Sequence, residues 1–184
     1  MSLANKPIRN IVAVVAALLL AGPAAAFNLD SDLPITVNAD NARLDDGRGI
    51  ATYTGDVIMT QGETELTADR VVLYRDEGGL QRIEASGRPA HYRQPAQDGQ
   101  GRTDARALNI TYSAPDNRLT FENEAVIEQN GNLFRGDIIH YDSVARVVTA
   151  EGAASDNNGR GRVEMVIQPR SQNRQESDGS SQGQ

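Results

Sequence analysis

Residues 51–75 read ATYTGDVIMTQGETELTADRVVLYR. β-branched and apolar residues dominate the run, and Gly55, Gly62 and the Ala68-Asp69 pair interrupt it. That punctuation predicts two or three short strands separated at those points, because Gly and small-Asp pairs favour turns. The run holds no Cys, His or Ser, so it reads as scaffold and not as a reactive centre.

The same pattern extends in both directions. Period-two alternation in Ile35-Val37-Ala39, Leu108-Ile110-Tyr112, Leu119-Phe121 and Val163-Met165-Ile167 predicts half-buried strands. Elsewhere apolar residues come in adjacent pairs, Val57-Ile58, Val71-Val72, Val126-Ile127, Ile138-Ile139 and Val147-Val148, which leaves both strand faces partly apolar and fits sheet packed on sheet. Asn130-Gly131 predicts a tight hairpin, since both residues tolerate positive φ, and Gly62 marks a similar one between Val57–Gln61 and Thr64–Ala68. A weak repeat joins Ala39-Asp40, Ala68-Asp69 and Gly136-Asp137, with Ala105-Arg106 as a degenerate copy. After residue 26 no stretch has helical periodicity, so the expected class is all-β, a sandwich or barrel-like domain.

The two ends read differently. Lys6 and Arg9 precede the apolar run IVAVVAALLL at 11–20, followed by Gly22-Pro23 and Ala24-Ala25-Ala26. This is the pattern of a signal peptide over residues 1–26 cleaved after Ala26, and the run is short for a bilayer-spanning anchor. The domain is expected over residues 27–169, and residues 170–184, which contain no apolar side chain, are expected to form a disordered polar tail. A chain of 184 residues trimmed at both ends holds one core.

Composition excludes several functions. Loss of Lys6 and Arg9 removes two positive charges and takes the formal charge from −7 to −9, which argues against a nucleic-acid partner. His91 and His140 stand apart and there is no Cys, so no metal set is spelled out and no cofactor is expected. Ser86 lacks a nucleophile elbow, and Asp45-Asp46 and Asp76-Glu77 read as solvated turn carboxylates. The absence of Trp weakens a sugar-stacking module. What remains is an exported, non-enzymatic β-protein suited to enclosing something apolar. Its terminal strands, Ile35–Ala39 and Val163–Gln168, are expected to be open edges able to accept a strand from another protein.

Read as an ordered set, PITVNADNARLDDGRGIATYTGDVIMTQGETELTADRVVLYRDE, the later GRPAHYRQ, the hairpin GNLFRGDIIHYD and the closing VEMVIQPR resemble the periplasmic lipopolysaccharide-transport protein LptA (OstA-like) family. The resemblance runs from Pro34 to about Arg170 and implies an open β-jellyroll of stacked antiparallel strands, a single domain. It also implies a periplasmic carrier that passes lipopolysaccharide from an inner-membrane complex to an outer-membrane translocon. By position in the family, Ile35, Val37, Arg75 and Tyr92 would contact lipid. The N-terminal edge, Ile35 and Val37, would meet the inner-membrane anchored subunit. The C-terminal edge, Val163, Met165, Val166 and Ile167, would meet the translocon or a second copy, head to tail. Tyr92 stands where a Phe can occur, and residues 95–102 and the tail carry no family signature. Two alternatives stay open: a membrane-anchored sister subunit of the same pathway, and a structural or adhesive β-module that binds no lipid.

Overall fold

The computed structural model describes residues 33–96, 101–145, 147–152 and 161–169. The leader with Ala26 and the polar tail lie outside the described residues. The described residues form ten strands: β1 (Ile35–Asn38), β2 (Asn41–Asp45), β3 (Ile50–Gln61), β4 (Thr64–Asp76), β5 (Gly79–Gln94), β6 (Thr103–Ser113), β7 (Arg118–Gln129), β8 (Asn132–Asp142), β9 (Val147–Glu151) and β10 (Glu164–Val166). Among the described residues the one helical element is a 3-10 turn, Asp46–Arg48, capped by the Asp45 carboxylate, which accepts from the Arg48 backbone N–H.

All ten strands belong to one antiparallel sheet. The long strands β3 to β8 follow each other in sequence order, β1 and β2 both pair with β3, and β9 and β10 both pair with β8. The turns expected at Gly62 and at Asn130-Gly131 are there, with positive φ at Gly62, Asn130 and Gly131. The interruptions expected at Gly55 and Ala68-Asp69 are different. Residues 51–75 form two long strands and a two-residue turn, and both points are irregularities inside strands. The sheet-on-sheet expectation becomes one continuous sheet, folded over.

The fold line can be traced residue by residue. Register shifts occur at Thr54/Val57, Thr67/Arg70, Ser86/Ala90, Arg106/Asn109 and Glu122/Ala125, in every successive pairing from β3 to β8, and β4–β5 has a second one beside its turn, at Tyr74/Arg75. Bulges bend a strand and increase its twist, and a row of them creases the whole sheet. Positive φ supplies the bend at Gly55-Asp56 and at Asn123-Glu124. At Gly55 a side chain would collide with Asp40, whose N–H bonds the Gly55 carbonyl at 3.1 Å where β1 gives way to β2. Three copies of the weak repeat, Ala39-Asp40, Ala68-Asp69 and Gly136-Asp137, fall on this crease, and the degenerate fourth precedes it by one residue pair.

The crease divides the sheet into two layers. One contains β2, Ile50–Thr54, Arg70–Asp76, Gly79–Ser86, Asn109–Ser113, Arg118–Glu122, Ile138–Asp142 and β9. The other contains β1, Val57–Gln61, Thr64–Ala68, Ala90–Gln94, Thr103–Ala107, Ala125–Gln129, Asn132–Gly136 and β10. Two contacts show the layers face to face. Tyr92 and Phe121, on strands that are not neighbours, meet edge to face with centroids 6.3 Å apart. Gln129, beside Asn132, donates to the Tyr141 hydroxyl at 3.2 Å. A straight strand would carry Tyr141 about 30 Å from Asn132 at ~3.3 Å per residue, so β8 must turn back.

One core lies between the layers, with Val57, Met59, Leu66 and Ile127 from one and Val71, Ile83, Phe121 and Ile139 from the other. The adjacent apolar pairs are thereby resolved. Val57, Val71, Ile127, Ile139 and Val148 point inward; of their partners Ile58 and Val147 are exposed, Val126 and Ile138 are half-buried, and Val72 is buried as well.

Candidate functional site

In an antiparallel pair, directly opposed residues share a face. Ile35 opposes Gln61 and Val37 opposes Met59, so both expected lipid contacts lie on the inner face of β1, half-buried against the core. On the neighbouring edge strand Leu44 opposes buried Ala51, yet Leu44 is 61% exposed. The far edge repeats the arrangement. Met165 opposes Phe134 on the inner face of β10 and is 52% exposed, and Val148 on β9 opposes Tyr141. The apolar lining between the layers therefore runs from one edge of the sheet to the other and is uncovered where it emerges.

The four edge strands each pair with one neighbour, so β1 and β10 are the terminal strands that alternation suggested. β10 is shorter than expected, Glu164–Val166 instead of Val163–Gln168. Its pairing with β8 is held partly by the Arg135–Glu164 ion pair at 2.9 Å. Val163, Val166 and Ile167 are exposed with Met165, giving that end an apolar border.

Tyr92 is in the middle of the core, 0% exposed. Its ring packs on Phe121 and its hydroxyl reaches the Gln94 side-chain oxygen at 3.4 Å. Burial first, then the neighbouring Tyr141 and Tyr112, push the phenol pKa well above its ordinary value, so the group stays a neutral donor. Arg75 is elsewhere, at the end of β4 in an open cleft of about 590 Å³ bordered by Asp46, Arg48, Asp76 and Glu77. Its guanidinium is 3.7 Å from Asp46, and its backbone N–H donates to the Gly49 carbonyl at 2.8 Å. Around Arg75 the carboxylates outnumber the cations. The four expected lipid contacts thus divide between edge, core and rim.

Alternation missed a row of polar side chains on the inner face. Gln61, Thr64, Gln94, Thr103, Gln129 and Asn132 each lie two residues from an inward apolar side chain and next to a turn or loop. That position in each strand was the available signal. His91 and His140 join no group of metal-ligating side chains among the described residues, and His140 shares a 3.0 Å hydrogen bond with Thr120.

Comparison with known proteins matches residues 36–147 to the family described as LptA/(LptD N-terminal domain) LPS transport protein. The lipopolysaccharide export system protein LptH of Pseudomonas aeruginosa is 39% identical over 150 residues, covering 80% of this chain and 86% of LptH. The lipopolysaccharide export system protein LptA of Haemophilus influenzae is 31% identical over 169 residues, 89% of this chain and 94% of that protein. The crystal structure of LptH, the LptA-homologous periplasmic component of the lipopolysaccharide transport device of Pseudomonas aeruginosa, aligns with a TM-score of 0.66 at 41% identity. That alignment covers 74% of this chain and 96% of the LptH chain in the crystal. The sheet is an open β-jellyroll of the LptA kind, and the chain belongs to the LptA/(LptD N-terminal domain) lipopolysaccharide transport protein family.

Proposed function

We propose that this chain is a periplasmic, non-enzymatic carrier of lipopolysaccharide that takes the acyl chains between its two layers and forms part of a bridge from the inner-membrane transport complex to the outer-membrane translocon. The observation that carries the reading is the apolar inner face, continuous from edge to edge and uncovered at Leu44 and Met165. An adhesive module gains nothing from an apolar trough open at both ends. The lipopolysaccharide export relatives support this cargo class, and LptH, a periplasmic component, supports the compartment. A signal peptide cleaved after Ala26 belongs to the same reading and separates it from an anchored sister subunit. Among the described residues no helix is long and apolar enough to cross a membrane.

A photoreactive residue at Val37 tests the carrier reading directly. Irradiation with lipopolysaccharide is expected to give a lipid adduct there and none from Thr36, which points to the outer face. Equal adducts at both positions, or none at Val37 in a folded protein, would count against it.

The edges supply the joining surfaces. The N-terminal edge is assigned to the anchored inner-membrane subunit and the C-terminal edge to the translocon or another copy. A head-to-tail contact uses two different surfaces and need not close. Successive N–H groups along a strand point to opposite sides, so proline at Met165 and proline at Val166 remove one outward and one ladder donor between them. Whichever variant loses the outward donor is expected to keep the monomer and lose the larger species in light scattering. Unchanged oligomers in both variants would move the contact off this edge.

A further inference from the structure

In the layer that carries β1 and β10, the last inward rung before the turns is polar on all six strands from β3 to β8, with Ile35 beside it on the edge strand β1. Gln61 opposes Thr64, Gln94 opposes Thr103, Thr103 opposes Gln129, and Gln129 opposes Asn132. Thr64 is one step beyond the Glu65–Arg93 pair, which puts it opposite Gln94. Amide and hydroxyl side chains alternate along most of this row, and none is ionisable. Gln61, Thr64, Gln94 and Thr103 are buried.

The row is bonded at both ends, along its length and across the gap. Gln61 donates to the Leu33 carbonyl at 3.1 Å, and Asn132 accepts from the Gln168 N–H at 3.0 Å. Gln129 donates to Thr103 at 3.0 Å and, across to the other layer, to the Tyr141 hydroxyl at 3.2 Å. Gln94 accepts from Tyr92. Among the described residues no buried side-chain nitrogen or oxygen lacks a partner. Among the described residues the facing rim of the other layer has no such row: its inward positions include Leu73, Ile83 and Leu119, with the hydroxyls of Tyr112 and Tyr141 and, just past β8, of buried Ser143.

Separating the layers at this rim breaks contacts such as Gln129–Tyr141. Hydrocarbon passing through offers nothing in exchange, and a buried amide left without a partner is unfavourable. Hydroxyl and amide groups on a sugar offer replacements. Sites built to hydrogen-bond a hydroxyl discriminate strongly against a ligand that lacks it.

The geometry points to a selection element: this Gln/Thr row bonds the hydroxyl and amide groups of the sugar backbone from which the acyl chains hang, and so favours acylated sugar over acylated glycerol. The inference rests on the carrier reading above and adds to it the part of the cargo that is recognised.

The test uses two lipids matched in chain and phosphate number, a tetra-acylated, bis-phosphorylated glucosamine disaccharide and cardiolipin. Both would be titrated by displacement of one apolar fluorophore from the purified full chain. The unsubstituted protein is expected to prefer the disaccharide by about tenfold or more. Gln94→Leu combined with Gln129→Leu is expected to remove most of that preference, weakening the disaccharide well beyond the shift that losing the Gln129–Tyr141 contact gives both lipids alike. Tyr141→Phe, which removes only the contact across the gap, is expected to shift both lipids together. An unchanged ratio in a folded double variant overturns the inference, and so does an equal loss of both lipids, which would make the row a structural seal. If the double variant does not fold, Thr103→Val, nearly isosteric, takes its place, and an unchanged ratio there overturns the inference equally. Unsubstituted protein that binds both lipids alike sinks selection and leaves the carrier reading intact. Protein that binds neither sinks the carrier reading itself.

Discussion

Aspartate at Ile35 or Val37 is expected to weaken lipopolysaccharide binding about ten- to a hundredfold, since burying such a side chain against an apolar partner is worth ~1.5–3 kcal/mol. Alanine at Arg75 is expected to change affinity less than about fivefold, in line with an exposed ion pair at ~0–1 kcal/mol. The contrast follows from placement. Ile35 and Val37 are on the inner face of the edge strand, where the apolar interior opens, whereas Arg75 is held among Asp46, Asp76 and Glu77. A chain of about ten buried methylenes contributes on the order of 8 kcal/mol before ordering and association costs, which the head group's charge cannot match against an acidic protein. Added salt should therefore move affinity only modestly. Titrations of the three variants at low and high ionic strength, after circular dichroism has confirmed folding, decide the matter. Near-complete loss with Arg75→Ala, steep salt dependence and indifference to the aspartates would assign recognition to the head group.

The largest effect on stability is expected at Phe121. Alanine there should lower unfolding free energy by ~3–5 kcal/mol, the usual range for deleting a buried aromatic side chain that neighbours cannot replace. Phe121 is 0% exposed, and its edge-to-face contact with Tyr92 joins the two layers. Tyr92→Phe keeps the ring and loses one hydroxyl bonded to Gln94 at 3.4 Å, so a change near 1 kcal/mol is expected. Urea unfolding of both variants compares them directly. A cost below about 1.5 kcal/mol at Phe121 would mean that the layers are held chiefly along the crease.

Much of this architecture is written locally. Alternation in Leu119-Phe121 and the hairpin at Asn130-Gly131 need only the pleat and the φ preferences of Asn and Gly, and both are present as read. Gly55 and Ala68-Asp69 were harder because a bend inside a strand and a turn between strands use the same residues. What separates them is whether both flanks pair with the same neighbour, and pairing is nonlocal. At β3 and β4 they do.

Site residues divide along the same boundary. The pleat puts Ile35 and Val37 on one face, but depth depends on the opposing layer. That is why Tyr92 is in the centre of the core and Arg75 at a rim. The Gln/Thr row escaped notice because each member adjoins a turn or loop and reads as turn chemistry. Only the register aligns six such residues from six strands.

The sequence-ordered meander of β3 to β8 has a consequence of scale. Each layer is eight strand positions wide, and at ~4.8 Å between neighbouring strands the trough is about 34 Å long before twist is counted. Its cross-section is set by strand length on either side of the crease, and its length by the number of hairpins. These two dimensions can vary independently. Another hairpin inserted between β5 and β6 would lengthen the trough by about 10 Å without altering its width or either terminal strand. Reach is thus a countable property of this fold, adjustable in units of one hairpin.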